Sequence, residues 1–123
     1  VTTLRLADLG VVVHPKKEWP HVGLSYETKH VRPKYPIEFH TTQDRVDAEL
    51  VEAKARQLRT GDVLLVEIVK LGGRIWIIDG HHALAAYIRE ALPPMLAVHG
   101  SGPYYVQPPK YARISRVRRG GVS

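Results

Sequence analysis

The densest chemistry in the chain sits in Asp79-Gly80-His81-His82. The apolar run Trp76-Ile77-Ile78 reads as a strand that reaches this point, and Ala83-Leu84-Ala85-Ala86-Tyr87 reads as a helix that leaves it. A strand turning directly into a helix leaves the first helical N–H groups without partners, an arrangement that receives phosphate oxygens. Gly80 allows close approach of the backbone. His81 and His82 flank the anion position as donors to phosphate or as groups that move a proton near neutral pH. Asp79 is placed to orient an imidazole, to coordinate a magnesium ion carried by a phosphate, or to act as a base. The alternative is a tight turn in which Asp79 caps the helix and both histidines face solvent. A metal site built from the two histidines is disfavoured, because consecutive helical residues diverge by about 100°.

Three other groups carry candidate chemistry. Glu67 interrupts the apolar run Val63 to Val69, in phase with Val63, Leu65 and Val69. It marks either a wetted face of the sheet or a carboxylate facing the pocket as a base or metal ligand. Thr41 and Thr42 precede a helix, where their hydroxyls either cap it or add a second phosphate contact. Lys110, Arg113, Arg116, Arg118 and Arg119 are interleaved with apolar residues after Tyr104-Tyr105. Tyrosines stack on bases and arginines pair with phosphates, so this tail is a candidate nucleic-acid contact; the alternative is a solvated or partner-docked tail. His14, His21, His30 and His40 lack metal-ligand spacing and read as surface or packing residues. With no cysteine in the chain, disulfides, iron-sulfur clusters, thiolate zinc sites and a cysteine nucleophile are excluded, and a structural zinc is not expected.

The elements that must position these groups follow from pattern. A length of 123 residues with 44% hydrophobic content implies one domain with a buried core. Residues 1–42 read as a strand over Leu9 to Val13 followed by a proline-punctuated arm or lid, with Pro15, Pro20, Pro33 and Pro36 keeping it out of central strands. Residues 43–100 read as the core. Its first helix starts at a cap on Thr41, Thr42 or Asp44, with Asp44, Asp47 and Glu49 early and Arg56 and Arg59 late. Val46, Leu50, Ala53 and Leu58 form its apolar stripe, Glu52 and Arg56 an i,i+4 pair, and Gly61 its end. Val63 to Val69 and Arg74 to Ile78 form a β-hairpin about Leu71-Gly72-Gly73. Leu84, Tyr87, Ile88, Ala91 and Leu92 have the spacing of one buried helical face, which Pro93-Pro94 ends. Met95 to Val98 returns as a short strand. The expected class is α+β, a small mixed sheet with a hairpin and two main helices, followed by a basic tail over residues 101–123.

Charge is unevenly placed. The formal net charge is +6, but residues 1–40 hold six basic and four acidic side chains, residues 41–92 seven and eight, and residues 93–123 five and none. Phosphate binding at the turn must therefore rest on backbone dipoles and histidines, and nucleic-acid binding on the tail. No run approaches the roughly 18 apolar residues of a membrane helix, and the start lacks the pattern of a signal peptide, so a cytoplasmic protein is expected with no membrane partner. The single methionine is Met95. Val1 is thus expected to be a processed start or a cleavage product of something longer, unless the numbering omits the initiator.

The order of helix, Leu58-x-x-Gly61, hairpin and then Ile78-Asp79-Gly80-His81-His82-x-Leu84-Ala85-Ala86 resembles the ParB/sulfiredoxin superfamily over about residues 43–99. It does so more loosely over Leu6 to Lys17, where Asp8-Leu9 and His14-Pro15-Lys16 resemble the opening strand and loop. In ParB-type partition proteins the matching stretch carries glycine, an acidic residue and two arginines and contacts nucleotide phosphates. In sulfiredoxins a cysteine and a histidine follow the glycine, and in the free serine kinases of this fold an Asp-Gly-His motif occurs. The resemblance implies Gly80 as the phosphate-loop glycine, His81 at the variable catalytic position, His82 at the next phosphate-side position and Ala86 as a packing alanine. Kinases of this fold also use a glutamate, the role offered to Glu67. Ala83 stands where most members have an arginine, which removes a bidentate phosphate donor. Without cysteine, sulfiredoxin chemistry is excluded, and without a helix-turn-helix or dimerisation segment a complete partition protein is not expected. The implied functions are a stand-alone ParB-like domain binding a nucleotide (ATP or CTP, with magnesium) or DNA, with phosphoester hydrolysis as a nuclease or NTPase. The alternatives are a non-catalytic nucleic-acid-binding or assembly module of a phage or mobile element, working through its proline-rich arm and basic tail, and a small-molecule kinase.

Overall fold

A computed structural model describes residues 2–109, in which the chain alternates short strands with two helices. In order these are β1 (Thr3–Arg5), β2 (Val12–Val13), β3 (Gly23–Val31), β4 (Phe39–Thr41), β5 (Arg45–Asp47), α1 (Ala48–Arg59), β6 (Leu65–Leu71), β7 (Arg74–Asp79), α2 (His81–Arg89), β8 (Met95–Ser101) and β9 (Tyr104–Tyr105). The expected α+β class is what forms. One mixed sheet has the order β2-β4-β7-β6-β8-β3-β9, and β1 pairs with β5 in a separate ribbon. Gly72 and Gly73, with φ of 56° and 76°, make the two-residue turn that joins β6 to β7 as an antiparallel hairpin. The β7–α2–β8 crossover then lays β8 parallel to β6.

Alternation along the central strands divides the core. Val66, Ile68, Ile77 and Leu96 point to one face and pack with Val51, Ala55 and Leu58 of α1 and with Leu84, Ala85 and Tyr87 of α2. Val69 and Trp76 point to the other face, where Trp19 and Leu24 cover them. The sheet is thus apolar on both sides, with helices on one and the N-terminal segment on the other. Among the described residues no helix is long and apolar enough to cross a membrane.

The N-terminal region differs from its sequence expectation. Leu6–Leu9 is a 3-10 turn rather than the start of a strand, and residues 23–31 form the longest strand of the sheet, paired with β8 and β9. The prolines flank this strand instead of breaking it: β3 lies between Pro20 and Pro33 and contains none. With β4 paired to β7, the segment expected to lie over the core contributes two strands, β3 and β4, to the sheet itself, while β2 falls within the expected Leu9 to Val13 strand.

Both helices are shorter than the periodicity predicts. Residues 45–47 pair with β1, so α1 starts after Asp47, whose Oδ1 accepts from the N–H groups of Glu49 (2.9 Å) and Leu50 (3.4 Å). Thr41, Thr42 and Asp44 do not cap it. Its buried face is Val51, Ala55 and Leu58, while Leu50 is 40% exposed. The Glu52–Arg56 pair forms at 3.8 Å, but Glu52 is closer to Arg59 (3.0 Å) and to Arg89 of α2 (2.8 Å). In α2 the chain leaves the helix at Ala91, with φ of 54°, so Leu92 falls outside the buried face. Tyr87 is buried, donates its hydroxyl hydrogen to the Leu64 carbonyl (2.7 Å) and accepts from the Leu64 N–H (3.2 Å). Tyr87→Phe leaves both backbone groups without this partner and is expected to cost about 1–2 kcal/mol, read from the midpoint of urea denaturation.

Candidate functional site

β7 ends at Asp79, and the next residue turns the chain into α2. Gly80 has φ of 91° and ψ of 27° and is the residue before the first helical turn. A Cβ at this position would lie 2.8 Å from the Leu65 carbonyl oxygen, so glycine is required for both conformation and contact. The Gly80 N–H donates to Asp79 Oδ1 at 2.8 Å, and α2 has no side-chain cap. The first helical bond runs from Leu84 N–H to the Gly80 carbonyl (2.9 Å). Helix geometry therefore gives the N–H groups of residues 81–83 no acceptor within α2.

The start of α2 lines a cavity of about 420 Å³. Asp79, Gly80, His81, His82 and Ala83 line one side of it, and Gln43 and Lys54 approach from the β4–β5 connection and from α1. Leu64, Leu65 and Pro109 complete the rim. Lys54 is half-buried and makes no ion pair among the described residues. Its ammonium and the start of α2 supply positive potential, which Asp79 partly offsets.

The two histidines are held differently. His81 is 4% exposed, and its Nε2 lies 2.7 Å from Thr41 Oγ1, which also accepts from the Gln43 N–H at 3.1 Å. Both contacts are satisfied in either tautomer of the neutral ring, with the threonine hydroxyl donating to a bare Nε2 or accepting from an Nε2–H through its second lone pair. Burial, aided by the neighbouring His82, holds the His81 pKa down to about 3, so the ring is neutral at physiological pH. His82 Nε2 accepts from the Asp47 N–H at 3.0 Å. That contact leaves the hydrogen of a neutral ring on Nδ1 and ties α2 to the start of α1.

Asp79, Gly80, His81 and His82 thus share one cavity. Thr41 stands behind it as the partner that orients His81. Thr42 is buried, and its Oγ1 has no hydrogen-bond partner among the described residues; it is not among the cavity-lining residues. Glu67 is the register partner of Asp79 across the hairpin, but its carboxylate contacts His99 Nε2 at 2.9 Å, and it too lies outside the lining. Lys110, Arg113, Arg116, Arg118 and Arg119 lie outside the described residues, the last of which, Pro109, is buried at the cavity rim. Sequence reasoning did not single out Gln43 and Lys54. Lys54 had a signal: it falls three residues after Val51 and four before Leu58, a charge at the border of the buried stripe.

No cluster of three or more histidine, cysteine, aspartate or glutamate side chains able to hold a metal ion occurs among the described residues. Asp79 offers one carboxylate at the cavity, a donor set that fits a magnesium ion carried by phosphate oxygens and not one caged by the protein alone. Comparison of the chain with known protein families, with curated proteins and with solved structures gives no match.

Proposed function

We propose that the cavity at the start of α2 binds the phosphate of a nucleotide or nucleic acid, in the manner of a ParB-like domain acting in the cytoplasm. The observation that supports this reading is that Lys54, Gln43 and the uncapped first turn of α2 line one cavity. Lys54 replaces, from another element, part of the charge that an arginine at the position of Ala83 would bring. A magnesium ion bound to the phosphates would add charge neutralisation, with Asp79 as its protein ligand. The phosphate would sit on backbone N–H groups, Gln43, whose Nε2 gives one hydrogen to the Arg45 carbonyl (2.8 Å), would offer its second, and Gly80 would keep the approach open.

The reading is of binding before turnover. His81 is neutral and enclosed, and Glu67 is occupied by His99, which leaves a hydrolytic step to Asp79 and His82. Binding of ATP, CTP and a short single-stranded DNA to the full chain, measured by calorimetry beside phosphate release, tests both. Lys54→Ala is expected to weaken nucleotide binding about tenfold, as loss of one charge-assisted bond does. A chain truncated after Pro109 is expected to keep nucleotide binding and to lose salt-sensitive DNA binding. Unchanged affinity in both Lys54→Ala and a His81→Ala/His82→Ala double variant would contradict the reading.

A further inference from the structure

On the sheet face away from the helices, four side chains stand in line. Glu18 Oε2 lies 3.1 Å from His14 Nδ1, His14 Nε2 lies 2.8 Å from His40 Nδ1, and His40 Nε2 lies 3.0 Å from Glu38 Oε1. Each contact needs one hydrogen. The carboxylates only accept, so His14 Nδ1 and His40 Nε2 must carry hydrogens, and the inner contact needs one more. Four ring nitrogens therefore hold three hydrogens, which makes one imidazole neutral and the other an imidazolium. Two neutral rings leave a nitrogen lone pair facing a carboxylate or facing the other ring. Two charged rings set N–H against N–H. Only the singly protonated pair fills the line.

The line lies at the edge of the sheet, where Val11 and Val13 pack toward the core on the other face. β2 has two residues and pairs in the sheet with β4 alone, Val12 opposite His40 and Val13 opposite Thr41. One further backbone bond, from His14 N–H to the Thr41 carbonyl at 2.8 Å, extends it. Both imidazoles lie against Trp76, with ring centroids 4.8 Å away for His14 and 5.8 Å for His40. We propose that His14 and His40 form a proton clasp that fastens β2 to the sheet while one proton is shared between them and releases it when acid supplies a second. Because β4 carries His40 on one face and Thr41, the partner of His81, on the other, release also loosens the support of the cavity.

The charged surroundings favour this behaviour. Glu18 faces the pair from the 3-10 turn Lys16–Glu18, Glu38 from the approach to β4, and Arg74 from β7. Burial, His14 and Arg74 hold His40 below the ordinary imidazole range, and Glu38 opposes them. His40 is therefore the ring that resists the second proton.

Amide hydrogen exchange of the full chain, corrected for intrinsic rates, tests the clasp. Between pH 7 and pH 5 the opening constant at the His14 amide is expected to rise by up to about tenfold per pH unit in the wild-type chain, because release takes up one proton. His14→Gln and His40→Gln are each expected to abolish this rise. An opening constant at His14 that does not change with pH, or an unchanged pH dependence in both variants, would overturn the proposal. Should neither variant fold, imidazole nitrogen resonances of the wild-type chain decide it: one proton shared by the two rings at pH 7 supports the clasp, and two neutral rings overturn it.

Discussion

Gly80→Ala is expected to destabilise the protein by about 3 kcal/mol and to remove phosphate binding. Two costs combine. An L-residue at φ of 91° pays about 1–2 kcal/mol for the left-handed conformation. The new methyl would also lie 2.8 Å from the Leu65 carbonyl oxygen and 3.0 Å from the Val66 Cα. Those are backbone atoms of β6, which is hydrogen-bonded to β7 on one side and β8 on the other, so the strand cannot retreat without breaking a ladder, and overpacking of this kind costs about 1–3 kcal/mol. Gly61→Ala is the internal comparison. Gly61 has φ of 93° but nothing within 4 Å of an added Cβ, so it is expected to show only the conformational cost. Equal losses in the two variants, measured by urea denaturation with unchanged m-value, would remove the close contact from the account.

Acidification is expected to draw a second large stability loss from His81. In the unfolded chain this imidazole takes its proton near pH 6.5, whereas in the folded protein burial holds it neutral down to about 3. Between these values the unfolded state binds a proton that the folded state refuses. The contribution is therefore fully present above pH 6.5 and is lost as pH falls toward 3, with a slope of about 1.4 kcal/mol per pH unit. Over the whole interval this amounts to several kcal/mol, on the order of 5. His81→Gln, which retains an acceptor for the Thr41 hydroxyl and does not titrate, is expected to begin less stable and to fall more gently between pH 6.5 and pH 5. Curves of unfolding free energy against pH that run parallel for the two proteins would contradict the assignment. Carboxylates and the His14–His40 pair titrate in both proteins, so the difference between the curves isolates His81.

Local signals made the second half of the fold legible. The Gly72-Gly73 turn, the alternation on either side and the strand stop at Asp79-Gly80 are short-range features, and they place the hairpin and the start of α2, although β6 runs over Leu65–Leu71 rather than Val63 to Val69 and α2 ends at Arg89. The first half depended on partners distant in sequence. β3 contains one buried apolar residue, Leu24, and becomes a strand because β8 and β9 present ladders to it. The cap of α1 moved to Asp47 because residues 45–47 pair with β1, which the helical pattern around them does not reveal.

Legibility of the site followed the same division. Asp79, Gly80, His81 and His82 are contiguous and were readable as a unit. Lys54 and Gln43 join them only through the packing of α1 and the β4–β5 connection against α2. The roles within the unit also depended on packing: nothing in His81-His82 distinguishes the enclosed ring from its neighbour, and Thr41 meets His81 across 40 positions of sequence. The His14–His40 line was invisible for the same reason, since its two rings are 26 residues apart and meet because β2 and β4 lie side by side.

The central claim is that phosphate binds at the start of α2. Titration of the full-length, isotopically labelled chain with inorganic pyrophosphate and magnesium, followed by amide and lysine side-chain resonances, tests it most directly. The account predicts saturable shifts concentrated at the amides of residues 80–83 and at the Lys54 ammonium, abolished by Gly80→Ala. Shifts confined to residues 110–119, or none at residues 80–83 at millimolar ligand, would contradict it.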